Sequence, residues 1–488
     1  MKIARRLLAA ALLLVSTASL HAQGSLTPPS APAPTMKTLT QIEPRRPVDL
    51  TNTPGTVTHL FVISEPGSYY LTRETLALNG QSGILINVDS AAGVTLDLNG
   101  FSVRGSGPDS GIAFTGISCP FPATPVTIHG GRVIGWGGDG IAITGPGVVQ
   151  EVVVANCGRS GIVIGGGSTS FEDEGRLSVV RSCQVRNVRG FGITAPTGRV
   201  LESSVVQVRP TFDSAAGGIL AGEVERCSVS NVVAAASTSG VTFGISANNV
   251  AQCEVRNVAS GGQSVHIFAA KVTDSRVGRD VTALVSSLPD RGIEAKDVQR
   301  CTVDGLRGNT SGDVVGILAA HVRDCAVQRV ANSGSGAATG IAASGLALAG
   351  NSFSETKVLH AEGNTVSGIG GRGVSGGGGT ARIVGNLIRG CSGDAIGEVV
   401  GGVVANNSIT IASGGSGDGI DVEDSHVNDN VVRNSGTGTG VRIAFSGVAV
   451  RNTVVGGTAF SFASGVRAGP IVAGGGSTSF DSNANVDL

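Results

Sequence analysis

The chain has 488 residues, a net charge of −1, 15% charged and 3% aromatic residues, and 76 glycines. No basic stripe is present, so nucleic acid is not an expected partner. High glycine without a G-X-Y period excludes collagen, and Val and Ile recurring between glycines point to short strands and tight turns.

The first elements are not part of a fold. Lys2, Arg5 and Arg6 precede the apolar run Leu7 to Val15, and Leu20-His21-Ala22 offers a small-residue cleavage site. Residues 1–22 therefore read as a signal peptide, and the protein is expected to be secreted: extracellular, on the cell surface or periplasmic. No later apolar stretch is long enough to span a bilayer, so the mature chain is not expected to be membrane-spanning. Residues 23–56, rich in proline, read as an extended tether.

Beyond the tether the chain repeats. The phrase G-I-x-A-x-x-V-x-x-C occurs as "GILAGEVERC" (218–227), "GISANNVAQC" (244–253), "GIEAKDVQRC" (292–301) and "GILAAHVRDC" (316–325). With its Cys as register mark, equivalents fall at Asn99, Gly131, Val152, Cys183, Ser204, Cys227, Cys253, Ser275, Cys301, Cys325, Asn351 or Asn364, Asn386, Asn407, Asn430 and Asn452. In the 218–227 copy, Ile219 and Ala221 lie two apart and share a strand face, as do Cys227 and Val229 on a second strand. A repeat of little over twenty residues has no 3.6-residue periodicity and no room for a crossover helix. It cannot bury its own apolar face, but stacked repeats can.

The expected fold is all-β: a right-handed parallel β-helix of roughly fifteen coils with an N-terminal cap, about 70 Å long at about 4.8 Å per coil. The marked side chains should point inward in one column. Disulfides fit poorly at that spacing, and no C-x-x-C suggests zinc, so free buried thiols are expected. The later asparagines should form an inward amide ladder.

Three stretches, "TMKTLTQIEPRRPV" (35–48), "ISEPGSYYLT" (63–72) and "VTLDLNGFSVRG" (94–105), followed by "GRVIGWGGDGI" (131–141), resemble a family of exported bacterial right-handed parallel β-helix proteins of pectate-lyase-like architecture. The resemblance covers about residues 25–141. It implies a cap over 57–82 and a parallel β-helix over 83–488, and says little about chemistry.

For function, the densest cluster is "GDGIDVEDSHVNDN" (417–430), with Asp418, Asp421, Glu423, Asp424, His426 and Asp429. Asp421 and Glu423 alternate with Ile420 and Val422 and should face outward, where they could bind a ligand or act as an acid/base pair. An aspartate before a turn glycine also has an ordinary structural use. The polygalacturonase pattern is absent, and two Tyr and one Trp leave few platforms for stacking sugars. His59, His266, His321 and His360 look isolated. "SFEDEGR" (170–176) reads as a protruding acidic loop.

The expected function is that of an exported structural protein or one interacting with a polysaccharide or cell-surface glycan, without assignable catalysis or cofactor. The alternative is a polysaccharide lyase, hydrolase or epimerase acting from the acidic coil, with Ca2+ a possible requirement.

Overall fold

Alternating apolar and polar positions, interrupted every few residues by a sharp corner, give strands that stack in parallel. The computed structural model describes residues 45–78, 80–110, 114–165, 178–210, 216–234, 241–278, 288–344, 357–473 and 484–487. Contacts divide the chain into Met1–Arg46 and Pro47–Leu488. Residues 1–22, expected to be a signal peptide, most of the expected tether, residues 170–176 and Asn351 lie outside the described residues.

Within Pro47–Leu488 the described residues hold strands and no helix, and form a parallel β-solenoid of about fifteen turns. None of the described segments is a helix long and apolar enough to cross a membrane. Isoleucines of the repeated phrase pair in sequence from Ile219 through Ile245, Ile267, Ile293 and Ile317 to Ile341. All are fully buried, in one core that also holds Trp136 and Tyr69. Segment 57–82, expected to cap the solenoid, contributes His59–Ile63, which pairs in parallel with Ser82–Ile86. Gly67–Tyr70 pairs likewise with Val94–Asp97.

The glycine of the phrase is sterically required. A Cβ on Gly316 would stand 2.6 Å from Val327 Cγ1 and 2.6 Å from the Gly340 carbonyl oxygen. Gly218 meets Val229, and Gly244 meets Val255, in the same way. The Gly-Ile at one end of the phrase and the x-Val after its Cys are thus two sides of one contact across the interior.

The marked residues form one inward column: Val152, Cys183, Ser203, Cys227, Cys253, Ser275, Cys301, Cys325, Asn364, Asn386, Asn407, Asn430, Asn452 and Asn485, all buried. Two marks need correction. Ser203, not Ser204, occupies the column: its hydroxyl accepts from the Cys183 N–H at 3.1 Å, while Ser204 pairs with Gln184. Asn99 is exposed at φ 51°, ahead of the column position.

The residue before each column position from Val152 to Asn452 turns the corner in the left-handed region, with φ from 51° to 58° at the non-glycine cases from Glu151 to Arg451. Such a conformation costs about 1–2 kcal/mol for an L-residue, and the stacked ladders hold it in place.

Asparagine and cysteine serve this column alike. Asn407 Nδ2 donates to Asn430 Oδ1 at 2.9 Å and to the Ile383 carbonyl at 2.9 Å, and the Asn386 N–H donates to Asn407 Oδ1 at 2.9 Å. At the equivalent places Cys325 Sγ accepts from the Cys301 N–H at 3.4 Å and lies 3.8 Å from the Val298 carbonyl. All eight cysteines are free and buried. Burial pushes the Cys157 and Cys391 thiols up to about 12 and Cys183 to about 11. Cys227 is raised by its hydrogen bond to Cys253 and by burial.

Candidate functional site

The acidic coil faces outward at Asp421 and Glu423, each half-buried between the inward Ile420, Val422 and Ser425. Much of its charge is engaged. Asp418 Oδ1 accepts the Thr439 N–H at 2.6 Å, and the Asp418 N–H donates to Asp394 Oδ1 at 2.9 Å. Arg442 lies 3.7 Å from Asp418 and 3.6 Å from Asp421. Burial raises Asp421 above the usual carboxylate range; Arg442 opposes this, and Asp394, Asp418 and Glu423 add to it. Asp429 pairs with Arg451 at 2.6 Å.

The coil does not converge on one point. Asp424 occupies a corner at φ 45°, and its carboxylate accepts from the Ser446 N–H and hydroxyl. Beyond that corner His426 pairs with a different strand of the preceding coil from the one that Ile420, Val422 and Glu423 pair with. Its row neighbour is Val403, and it lines a depression with His360, Arg382 and Asp424.

Along the row that holds His426 the structure assembles a cluster that the sequence reading missed. One outward row, four residues ahead of the buried column, runs Lys271, Asp297, His321, His360, Arg382, Val403, His426 on successive strands. Lys271, Asp297, His321, Arg323, His360, Glu362 and Arg382 line a hollow of ≈ 320 Å³.

His321 and His360 are therefore not isolated. Their rings meet edge to face with centroids 5.2 Å apart. His321 Nδ1 lies 2.7 Å from Asp297 Oδ1. Burial, then the neighbouring His321 and Arg382, hold His360 below its ordinary value. Arg323 approaches Glu362 at 3.7 Å. Lys271 and Arg382 have no ion-pair partner among the described residues. The available signal was register: His321 lies four before Cys325, and His360 four before Asn364.

His266 has a structural role. It replaces the glycine of the phrase, is fully buried, and its ring nitrogens meet the Val258 N–H at 3.4 Å and the Arg291 carbonyl at 3.2 Å. Among the described residues no three His, Cys, Asp or Glu side chains are grouped so as to hold a metal ion.

The fold and this row define a parallel β-solenoid with a mixed-charge, imidazole-bearing hollow on one sheet. No family model and no curated protein matches the sequence. Among solved structures, the A-module of the mannuronan C-5 epimerase AlgE6 of Azotobacter vinelandii aligns with 86% of this chain and 89% of its own, at 12% identity and TM-score 0.27. The A-module of the AlgE4 enzyme from the same organism aligns with 80% and 91%, at 12% identity and TM-score 0.17. At these values the likeness carries no argument about residues or chemistry.

Proposed function

We propose that this protein binds an extended anionic glycan along the sheet that carries Lys271, His321, His360 and Arg382. The supporting observation is that Lys271 and Arg382, two cations without ion-pair partners among the described residues, flank two imidazoles in one hollow. Four strand steps separate those cations, about 19 Å at about 4.8 Å each. A linear chain with a negative charge on successive sugars can engage both ends of such a row, and a small anion cannot. Neutral glycans gain little here, because the aromatic residues that would stack on them are scarce.

The acidic coil has less support as the binding site. Asp394 and Asp418 hold backbone N–H groups of the following coil, and Asp424 holds Ser446. Export to a compartment where glycans are met is part of the proposal and rests on residues 1–22.

Gel retardation against polyuronates and neutral glucans tests the reading. Polyuronates should retard the protein and glucans should not. Lys271→Ala and Arg382→Ala should each weaken retention roughly tenfold or more, as expected for a charge-assisted hydrogen bond. Retardation by glucans alone, or by none of the polymers, would contradict it.

A further inference from the structure

We propose that the hollow takes a phosphate-linked polyol or sugar chain, and that His360 and His321 cut it as base and acid by drawing a hydroxyl of the chain onto the neighbouring phosphorus. The inference rests on the anionic-glycan reading above and names the anion.

Cations stand on three sides of the imidazole pair. Lys271 lies two strand steps from His321 in the row, and Arg382 one step beyond His360. Arg323 lies two residues along the strand of His321 and shares its outward face. All five line the same hollow, whose carboxylates are Asp297 and Glu362. A phosphodiester carries one negative charge at rest and gains a second as an oxygen adds to phosphorus. Cations placed around that point therefore favour the reacting state over the bound one.

The two rings stand in opposite surroundings. His321 Nδ1 lies 2.7 Å from Asp297 Oδ1, a counter-charge for a ring carrying two protons. His360 makes no hydrogen bond to a carboxylate among the described residues, and burial, then His321 and Arg382, disfavour its protonation. This contrast makes His360 the base and His321 the acid. With centroids 5.2 Å apart and one edge toward the other, the rings can flank one phosphorus, at its entering and departing oxygens.

The step balances without a further reactant. His360 takes the proton of a hydroxyl on the carbon beside the one that bears the phosphate. That oxygen bonds to phosphorus and closes a cyclic phosphodiester. The bond from phosphorus to the oxygen of the next unit breaks, and His321 gives that oxygen its proton. The proton gained by His360 and the one lost by His321 re-equilibrate through solvent. RNA offers the same linkage but fits less well, because the chain has a net charge of −1, no basic stripe and few aromatic rings on which bases could stack.

The test incubates the full chain with poly(glycerol phosphate), with the same polymer after methylation of its hydroxyls, and with polyuridylate. Phosphorus NMR follows cyclic phosphate ends, and gel retardation measures binding separately. Poly(glycerol phosphate) should be bound and cut, and the methylated polymer bound but left whole. His360→Ala and His321→Ala should each lower kcat by about 10²–10⁴-fold, the usual contribution of general acid–base catalysis, with binding changed only a few-fold. Both side chains are exposed, so unchanged thermal unfolding will show that the variants fold. Cleavage of the methylated polymer, cleavage of polyuridylate alone, or a rate unaltered by His360→Ala overturns the inference. Retardation by poly(glycerol phosphate) or a polyuronate without any cleavage also overturns it and leaves the recognition reading standing. Retardation by none of these polymers overturns both.

Discussion

His321 and His360 come from turns of the solenoid separated by an insertion, yet their rings touch edge to face, 5.2 Å between centroids. Around them stand Lys271, Asp297, Arg323, Glu362 and Arg382, with His426 two strands beyond Arg382. His360 is held below its ordinary value of 6.5 by burial, His321 and Arg382. The unfolded chain therefore takes up this proton at a higher pH than the folded one. The contribution is present above about 6.5 and is lost as pH falls through that value to the lower folded one. His59, lowered by burial, acts with the same sign. Protonating His360 adds a cation to the row, so polyuronate binding should tighten on acidification. Titrations of affinity over about pH 5–8 check this, with His360→Gln flattening the affinity curve.

Gly316→Ala should destabilise the protein by about 1–3 kcal/mol, the usual cost of overpacking, because the new methyl meets Val327 and the Gly340 carbonyl. Denaturant unfolding measures it. Adding Val327→Ala should recover part of the loss, since Val327 is one of the two obstacles.

Asn407→Ala should be among the more costly polar substitutions in the C-terminal turns. It leaves the Asn386 N–H without its acceptor and takes from the Ile383 carbonyl its side-chain donor, while Asn386 Nδ2 keeps the Ala361 and Val384 carbonyls. Each buried orphan costs about 1–3 kcal/mol. Asn407→Cys should cost less than Asn407→Ala, because cysteine fills this position in earlier turns and meets equivalent backbone groups. Chemical denaturation of the two variants gives the ranking.

Gln252→Gly should stabilise the fold. Gln252 is exposed at φ 54°, where glycine avoids about 1–2 kcal/mol of strain and gives back about 0.5–1 kcal/mol in unfolded-chain entropy. A net gain of up to about 1.5 kcal/mol is expected in the same assay.

The eight thiols should resist alkylation in the native protein and all react after denaturation, because every one is free and buried. Intact mass after each treatment counts them. Fewer than eight additions in denaturant would reveal disulfides.

The repeated phrase made the solenoid legible before any coordinates, because Gly, Ile, Cys and Val are fixed by contacts that recur on every turn. Finer register was less legible. Ser203 and Ser204 fit a column of small residues equally well in sequence, and only strand pairing separates them. The acidic coil looked like one cluster because its residues are contiguous, but beyond the corner at Asp424 His426 pairs with a different strand of the preceding coil. The converse hid the imidazole pair. Surface rows carry no repeated residue type, so Lys271, Asp297, His321, His360 and Arg382 share a position without sharing chemistry. The insertion before His360 stretches that turn well beyond its neighbours.

Isothermal titration of a uronate oligosaccharide into the wild-type chain and into Lys271→Ala/Arg382→Ala addresses the hollow itself. Saturable binding by the first, reduced a hundredfold or more in the second if each cation is worth roughly tenfold, is the predicted result. Equal affinity in both proteins would place recognition elsewhere and contradict the account.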